Sequence, residues 1–209
     1  MTPDPPPDPL SLLDWKRTIG DLYAEIRATP DGPTAWQRWR QTRHDLFRGH
    51  PQSPLPPSDR AAYAGPHLYP YDPAWRLTAT VEPAPPLSLD VATSTGEVMA
   101  LRRFGRVSFT AAGTSMTLDV YWLTGYGGGL FLPFADATSG TETYGAGRYL
   151  VDTVKGADLG QDQDRLVLDF NFAYFPSCAY DPRWTCPLAP PANRLPAPVR
   201  AGERLSPAG

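Results

Sequence analysis

The chain is short of the residues that most often announce chemistry. Its 209 residues include two cysteines, three histidines and three methionines. Cys178 and Cys186 are eight apart, unlike the C-x-x-C of zinc and redox motifs, and His44, His50 and His67 lie far upstream. No metal or other cofactor is therefore expected. Reduced thiols packed as small hydrophobes are the ordinary state of such cysteines inside a cell. A nucleophilic cysteine needs a partner base, and none stands nearby in sequence. The chain also lacks G-x-S-x-G, a P-loop and a dinucleotide fingerprint. It has no apolar run of bilayer length and no basic segment followed by an apolar one, so neither a membrane nor a secretory leader is expected and a cytoplasmic location is. A net charge of −3 denies it the basic stripe that a nucleic-acid partner requires. Arg38, Arg40, Arg43 and Arg48 fall in one short segment and read as a solvated helix face rather than an anion site.

What the chain has in excess is proline. Its 26 prolines are roughly twice the ordinary share. They gather in residues 2–9, 50–86 and the C-terminal forty, leaving the middle almost free. Residues 1–9 read as a disordered tail. Leu12, Trp15, Ile19, Leu22, Tyr23 and Ile26 then recur at helical spacing, with Ser11 and Asp14 placed as a capping box, which predicts a helix over about 10–29. Asp31-Gly32-Pro33 opens a second helix whose face carries Trp36, Trp39 or Arg40, Arg43, Leu46 and Phe47, and Gly49 with Pro51 stops it. Residues 50–86 read as loop-rich, with one helical turn at Ser58-Asp59-Arg60.

From Ala74 the period changes to two. Leu87, Leu89 and Val91 alternate with polar or small residues, Ser94-Thr95-Gly96 turns the chain, and Gly105 and Ala112-Gly113 punctuate the strands beyond that turn. Met116, Leu118, Val120 and Trp122 share a strand face, Gly127-Gly128-Gly129 makes a hairpin, and later strands fall at 148–154 and 165–169. This predicts a mainly β protein: an antiparallel β-barrel or sandwich over residues 74–205, with a helical segment and loop over 10–73 packed on it through Trp15, Ile19, Leu22, Trp36 and Trp39. Residues 168–203 close it. They hold both cysteines and seven prolines, so they cannot build a ladder of their own, and they are too aromatic to float free. An extended strap pinned by Tyr174, Tyr180 and Trp184 is expected.

Three blocks are specific enough to carry a resemblance. Residues 134–150 read F-x-D-x-T-S-G-x-x-T-Y-x-x-G-R-Y-L, residues 169–180 read D-F-N-x-A-Y-x-P-x-C-A-Y, and residues 186–196 read C-P-L-x-P-P-x-N-R-L-P. With Leu46-Phe47 and His50-Pro51-Gln52-Ser53-Pro54-Leu55, they resemble the uncharacterised prokaryotic family called domain of unknown function 1684, over about residues 15–203. The resemblance implies a bacterial protein but no activity. One departure is Ala192, where the family pattern carries glutamate.

The candidate site is drawn from these blocks. Asp136, Thr138 and Ser139 hold a compact polar loop, and Arg148 sets a guanidinium at a strand start, suited either to gripping a carboxylate or phosphate or to pairing internally with Asp169 or Glu142. Asp169, Asn171 and Tyr174 stand where the last strand meets the strap. With Tyr144 and Cys178 they outline a pocket at the barrel mouth for a small anionic metabolite. It would either bind that molecule or hydrolyse it with Asp169 as base and Arg148 as anchor. The alternative is a non-catalytic structural or interaction protein in which the same residues form an internal polar network.

Overall fold

A computed structural model describes residues 8–125 and 127–206; the tail expected over residues 1–9 lies outside them except for its last two positions. The protein is mainly β with two long N-terminal helices. α1 spans Pro9–Ala28 and α2 Gly32–Gly49, followed by the short α3 at Pro57–Arg60. Asp8, rather than Ser11, caps α1: its carboxylate accepts from the Leu10 N–H at 3.1 Å, with Pro9 in the first turn where no N–H is needed. Asp31 does the same for α2 through Thr34. Both helices turn an aromatic face inward, burying Ile19, Leu22, Tyr23, Ile26, Trp39 and Phe47. Trp15 and Trp36 pack at its margin.

Seven strands form one antiparallel sheet. They are β1 (Arg76–Ala92), β2 (Val98–Ala111), β3 (Thr114–Leu123), β4 (Gly129–Phe134), β5 (Arg148–Asp152), β6 (Gln161–Asp162) and β7 (Arg165–Asp169), in the order β5-β4-β3-β2-β1-β7-β6. The sheet does not close into a barrel, since no ladder joins β5 to β6. It curls far enough for a single bridge, in which Tyr149 on β5 and Tyr174, just past β7, exchange backbone hydrogen bonds of 2.9 and 3.1 Å.

Two punctuation marks in the sequence prove to be bends within strands. β1 runs through Pro83, Pro85 and Pro86, where the register against β2 slips. Prolines donate nothing to a ladder, so they sit where pairing is interrupted. The first half of β1 pairs with β7 and the second half with β2. β2 likewise passes through Gly105 beside a register shift against β3. A Cβ there would stand 2.5 Å from Val81 Cγ1 and 2.9 Å from the Glu82 carbonyl oxygen, so glycine marks a close approach of two strands. Near the same irregularity the inward side of β3 passes from Met116, Leu118 and Val120 to Tyr121, and Trp122 faces out. Among the described residues no helix is long and apolar enough to cross a membrane.

Candidate functional site

The strap is tied down along its length, and where it crosses the sheet it replaces missing ladder bonds. Pro133 on β4 has no N–H to give. Asn193, in a single helical turn of the strap, donates through Nδ2 to the carbonyls of Pro133 (2.7 Å) and Asp119 (2.9 Å) and accepts through Oδ1 from the Asp119 N–H (2.9 Å). Its side-chain amide thus stands in for a peptide group between β3 and β4. Ala192 beside it is exposed, so a carboxylate there would face outward from this joint. Tyr180 donates to Glu203, and Trp184 donates to the Pro54 carbonyl at 3.0 Å.

Both terminal nitrogens of the Arg148 guanidinium are engaged inside the protein. Nη2 donates to Asp136 Oδ2 at 2.7 Å and to the Val199 carbonyl at 2.8 Å, and Nη1 donates to the carbonyls of Ala201 (2.5 Å) and Glu203 (3.1 Å). Its partner is Asp136, neither Asp169 nor Glu142. The other oxygen of Asp136 accepts from the Thr138 N–H and hydroxyl. Burial pulls the Arg148 pKa down, and Asp136 offsets part of that. The guanidinium clamps the polar loop of residues 134–150 to three carbonyls of the C-terminal strap.

Asp169 and Asn171 form a second, separate knot. Asp169 Oδ1 accepts from the backbone and side-chain nitrogens of Asn171 at 3.1 and 2.8 Å, and Oδ2 accepts from Arg76 at 3.2 Å. Asn171 in turn holds the backbone of Asp72 on both sides, at 2.9 and 2.8 Å. Burial raises the Asp169 pKa, although Asn171 and Arg76 work against it. Tyr144 stands apart again, its hydroxyl 3.7 Å from Cys178 Sγ. The six residues drawn together from sequence therefore fall into separate groups, and of them only Tyr174 lines the cavity between the N-terminal helices and the strap.

That cavity, of about 280 Å³, lies between the N-terminal helices and the strap. Tyr23, Trp39, Phe47 and Tyr174 form its deep wall, and Phe175, Trp184, Thr185 and Cys186 its strap side. Arg43 is set among the rings, its guanidinium carbon 4.9, 4.7 and 5.1 Å from the ring centres of Trp39, Phe47 and Tyr174. It is 6% exposed, so the solvated face expected for this arginine is not what forms. Nη2 donates to Glu203 at 3.1 Å, while Nε is buried with no hydrogen-bond partner among the described residues. Burial lowers the Arg43 pKa, but Glu203 and the nearby tyrosines outweigh it, and the net shift is upward.

Lys16 and Lys155 stand at the exposed rim of this cavity. They are the only two lysines in the chain, which otherwise carries its positive charge on arginine. The signal was present in the sequence as scarcity: two lysines remote from each other, and an arginine four residues from both Trp39 and Phe47 on a buried helical stripe. Nothing local could show that they meet. Among the described residues no cluster of three or more histidine, cysteine, aspartate or glutamate side chains forms a metal site.

One surface pair gives an acid-side test of the strap. Glu142 accepts from Arg200 at 2.7 and 2.9 Å and from the Tyr69 hydroxyl at 2.9 Å. Arg200 first and Tyr69 second pull its pKa from 4.5 to about 2. A depressed carboxylate adds stability that is complete above the unfolded pKa and is lost as pH falls through the folded one. The urea midpoint of wild type should therefore exceed that of Glu142→Gln near neutrality, and the two should converge as pH drops from 4.5 toward 2. A gap that persists at pH 2 would show that the pair does not act through charge.

Comparison with known proteins agrees with this architecture. A family model described as Protein of unknown function (DUF1684) matches residues 61–204. That span begins after the two long helices, so the match does not include the N-terminal part of the resemblance. An uncharacterised protein of Haloarcula marismortui, solved by solution NMR, is 36% identical over 82% of this chain and 93% of its own, with a TM-score of 0.59. No curated protein matches.

Proposed function

We propose a binding role, starting from a chain that belongs to the family described as Protein of unknown function (DUF1684). Its ligand would be a small amphipathic anion, an aromatic or apolar body with one carboxylate or phosphate, held between the N-terminal helices and the strap. The observation that carries this reading is the buried Arg43 Nε, a donor with no partner among the described residues, set among the aromatic rings lining a cavity of about 280 Å³. A buried donor without a partner costs roughly 1–3 kcal/mol, which an acceptor atom of a ligand would recover. Lys16 and Lys155 at the rim supply the charge complement for the anionic end. Drug-sized ligands favour such sites, mostly apolar with a few placed polar groups. A cytoplasmic setting, where metabolites of this kind are abundant, belongs to the same reading.

The scarcity of lysine makes the test selective. Reductive methylation with a ¹³C label marks Lys16, Lys155 and the terminal amine while keeping their charge. Titration with aryl carboxylates and aryl phosphates should move both lysine signals, and matched neutral amides should move them far less. If millimolar anions leave both signals in place, or if neutral analogues shift them equally, the reading fails.

The second reading, a structural protein with an internal polar network, is favoured at Arg148, Asp169 and Asn171, whose polar atoms are occupied within the fold. A hydrolytic role for Asp169 draws no support from this geometry, since both its oxygens accept internal hydrogen bonds and it is fully buried.

A further inference from the structure

We infer that the ligand of this cavity carries an uncharged hydrogen-bond acceptor, such as a carbonyl oxygen, at the end remote from its anion. This rests on the anion-binding role proposed for the cavity and fixes which way round the molecule lies. The two ends of the cavity differ in charge. At the inner end Arg43 is already neutralised. Its Nη2 donates to Glu203 Oε2 at 3.1 Å, and the same carboxylate accepts from the Phe175 N–H at 2.7 Å and from the Tyr180 hydroxyl. Glu203 is 1% exposed, a fixed negative charge beside the guanidinium. Arg43 Nε is left buried with no partner among the described residues. A second donor stands with it on the cavity wall: the Tyr23 hydroxyl accepts from Trp39 Nε1 at 3.3 Å, which leaves its own O–H to give. Burial pushes the Tyr23 pKa up to about 12, so that O–H is intact throughout the neutral range.

The inner wall therefore offers donors and no net charge. A second carboxylate placed there loses its water beside Glu203 with no free cation to offset it. A carbonyl oxygen is far less costly to bury and takes the same hydrogen bonds. The rim is different. Lys16 and Lys155 share the field of Asp152, whose Oδ2 is 4.0 Å from Lys155 Nζ, so two cations stand against one carboxylate. The class of ligand that fits is a monoanionic oxo acid. It has a carboxylate or phosphate at the lysines, an aromatic or apolar body among the rings, and a carbonyl at Arg43 and Tyr23.

Three benzoates of similar shape separate the possibilities. They are 4-acetylbenzoate, 4-isopropylbenzoate, in which an apolar branch replaces the carbonyl, and terephthalate, in which a second carboxylate replaces the acetyl group. Each is titrated into the full chain with its two lysines ¹³C-methylated, and the lysine signals give Kd. 4-Acetylbenzoate should bind at least about fivefold tighter than 4-isopropylbenzoate, although the latter is the more apolar, because it satisfies a stranded donor. Terephthalate should also bind more weakly than 4-acetylbenzoate. A ¹³C label on the acetyl carbonyl should move downfield on binding, the sign of an accepted hydrogen bond. Arg43→Lys keeps a cation against Glu203 but lacks Nε, and should remove most of the acetyl preference. The inference is overturned if the isopropyl acid binds as tightly as the acetyl acid, if terephthalate matches it, or if the preference survives intact in Arg43→Lys. In each of these cases the lysine signals still report a bound anion, and the binding role stands. If none of the three acids moves them, the binding role fails and the acceptor falls with it. The acids are ranked on wild type, so a variant that does not fold leaves the test intact.

Discussion

Replacing Arg148 with methionine should cost about 3–5 kcal/mol, the usual consequence of breaking a buried ion pair from one side. The change strands a buried carboxylate at Asp136 and removes the donors to three strap carbonyls, those of Val199, Ala201 and Glu203. For a chain of this size that is a fall in melting temperature of about 6–20 °C. Arg200→Met supplies the contrast. It also breaks an arginine–carboxylate pair with good geometry, but Arg200 is 59% exposed, and exposed pairs are worth no more than about 1 kcal/mol. Thermal melts of the two variants side by side decide whether the clamp matters. Equal losses would mean that the strap is held elsewhere and that Arg148 merely fills space.

The second large effect is expected at Gly202. Its φ is +74°, and a Cβ built there would lie 2.5 and 2.6 Å from the carbonyl oxygens of Ala173 and Phe170. The left-handed backbone alone costs an alanine about 1–2 kcal/mol. Forcing the strap off the turn after β7 adds about 1–3 kcal/mol more, in the range of overpacked cores. Gly113, in the β2–β3 hairpin, has the same φ of +74°, but a Cβ there would meet nothing within 4 Å, so Gly113→Ala isolates the conformational part. Chemical denaturation of both variants should therefore show Gly202→Ala as the more damaging by the clash contribution. Matching losses would remove close approach as the reason for glycine at 202.

Much of the fold was legible from periodicity and turn chemistry. Ala112-Gly113 turns the chain with both residues at positive φ, as a two-residue hairpin requires, and Asp31 with Pro33 starts α2 as its sequence indicates. Glycine and proline were harder to read inside strands, because Gly105 and Pro83 mark bends in a continuing ladder rather than its end. Closure was not legible either: alternation fixes which face is buried, whereas whether a sheet seals into a barrel depends on how its two edge strands meet. Here, among the described residues, no ladder joins the edge strands β5 and β6, and β5 instead bridges the segment just past β7 at Tyr149 and Tyr174.

The candidate site was readable in residue type more than in place. Arg148, Asp169 and Asn171 are buried polar residues that a fold must satisfy, and the motif carrying them records that structural need. The cavity instead joins residues from both ends of the chain, Lys16 and Arg43 with Lys155 and Trp184, whose only sequence signal is their rarity or their position on an apolar stripe. Long-range assembly of that kind leaves no local spacing to detect.

The clamp at residues 199–203 also bears on the order of folding during synthesis. Domains generally fold as units as the chain emerges. Here the two buried arginines, on α2 and β5, find hydrogen-bond partners in residues 199–203: Arg43 in the Glu203 carboxylate, and Arg148, already paired with Asp136, in the carbonyls of Val199, Ala201 and Glu203. Until those residues leave the ribosome, the helices and sheet hold two desolvated cations without their full complement. Full pairing of the core therefore waits on the strap, and its closure is expected as a late step.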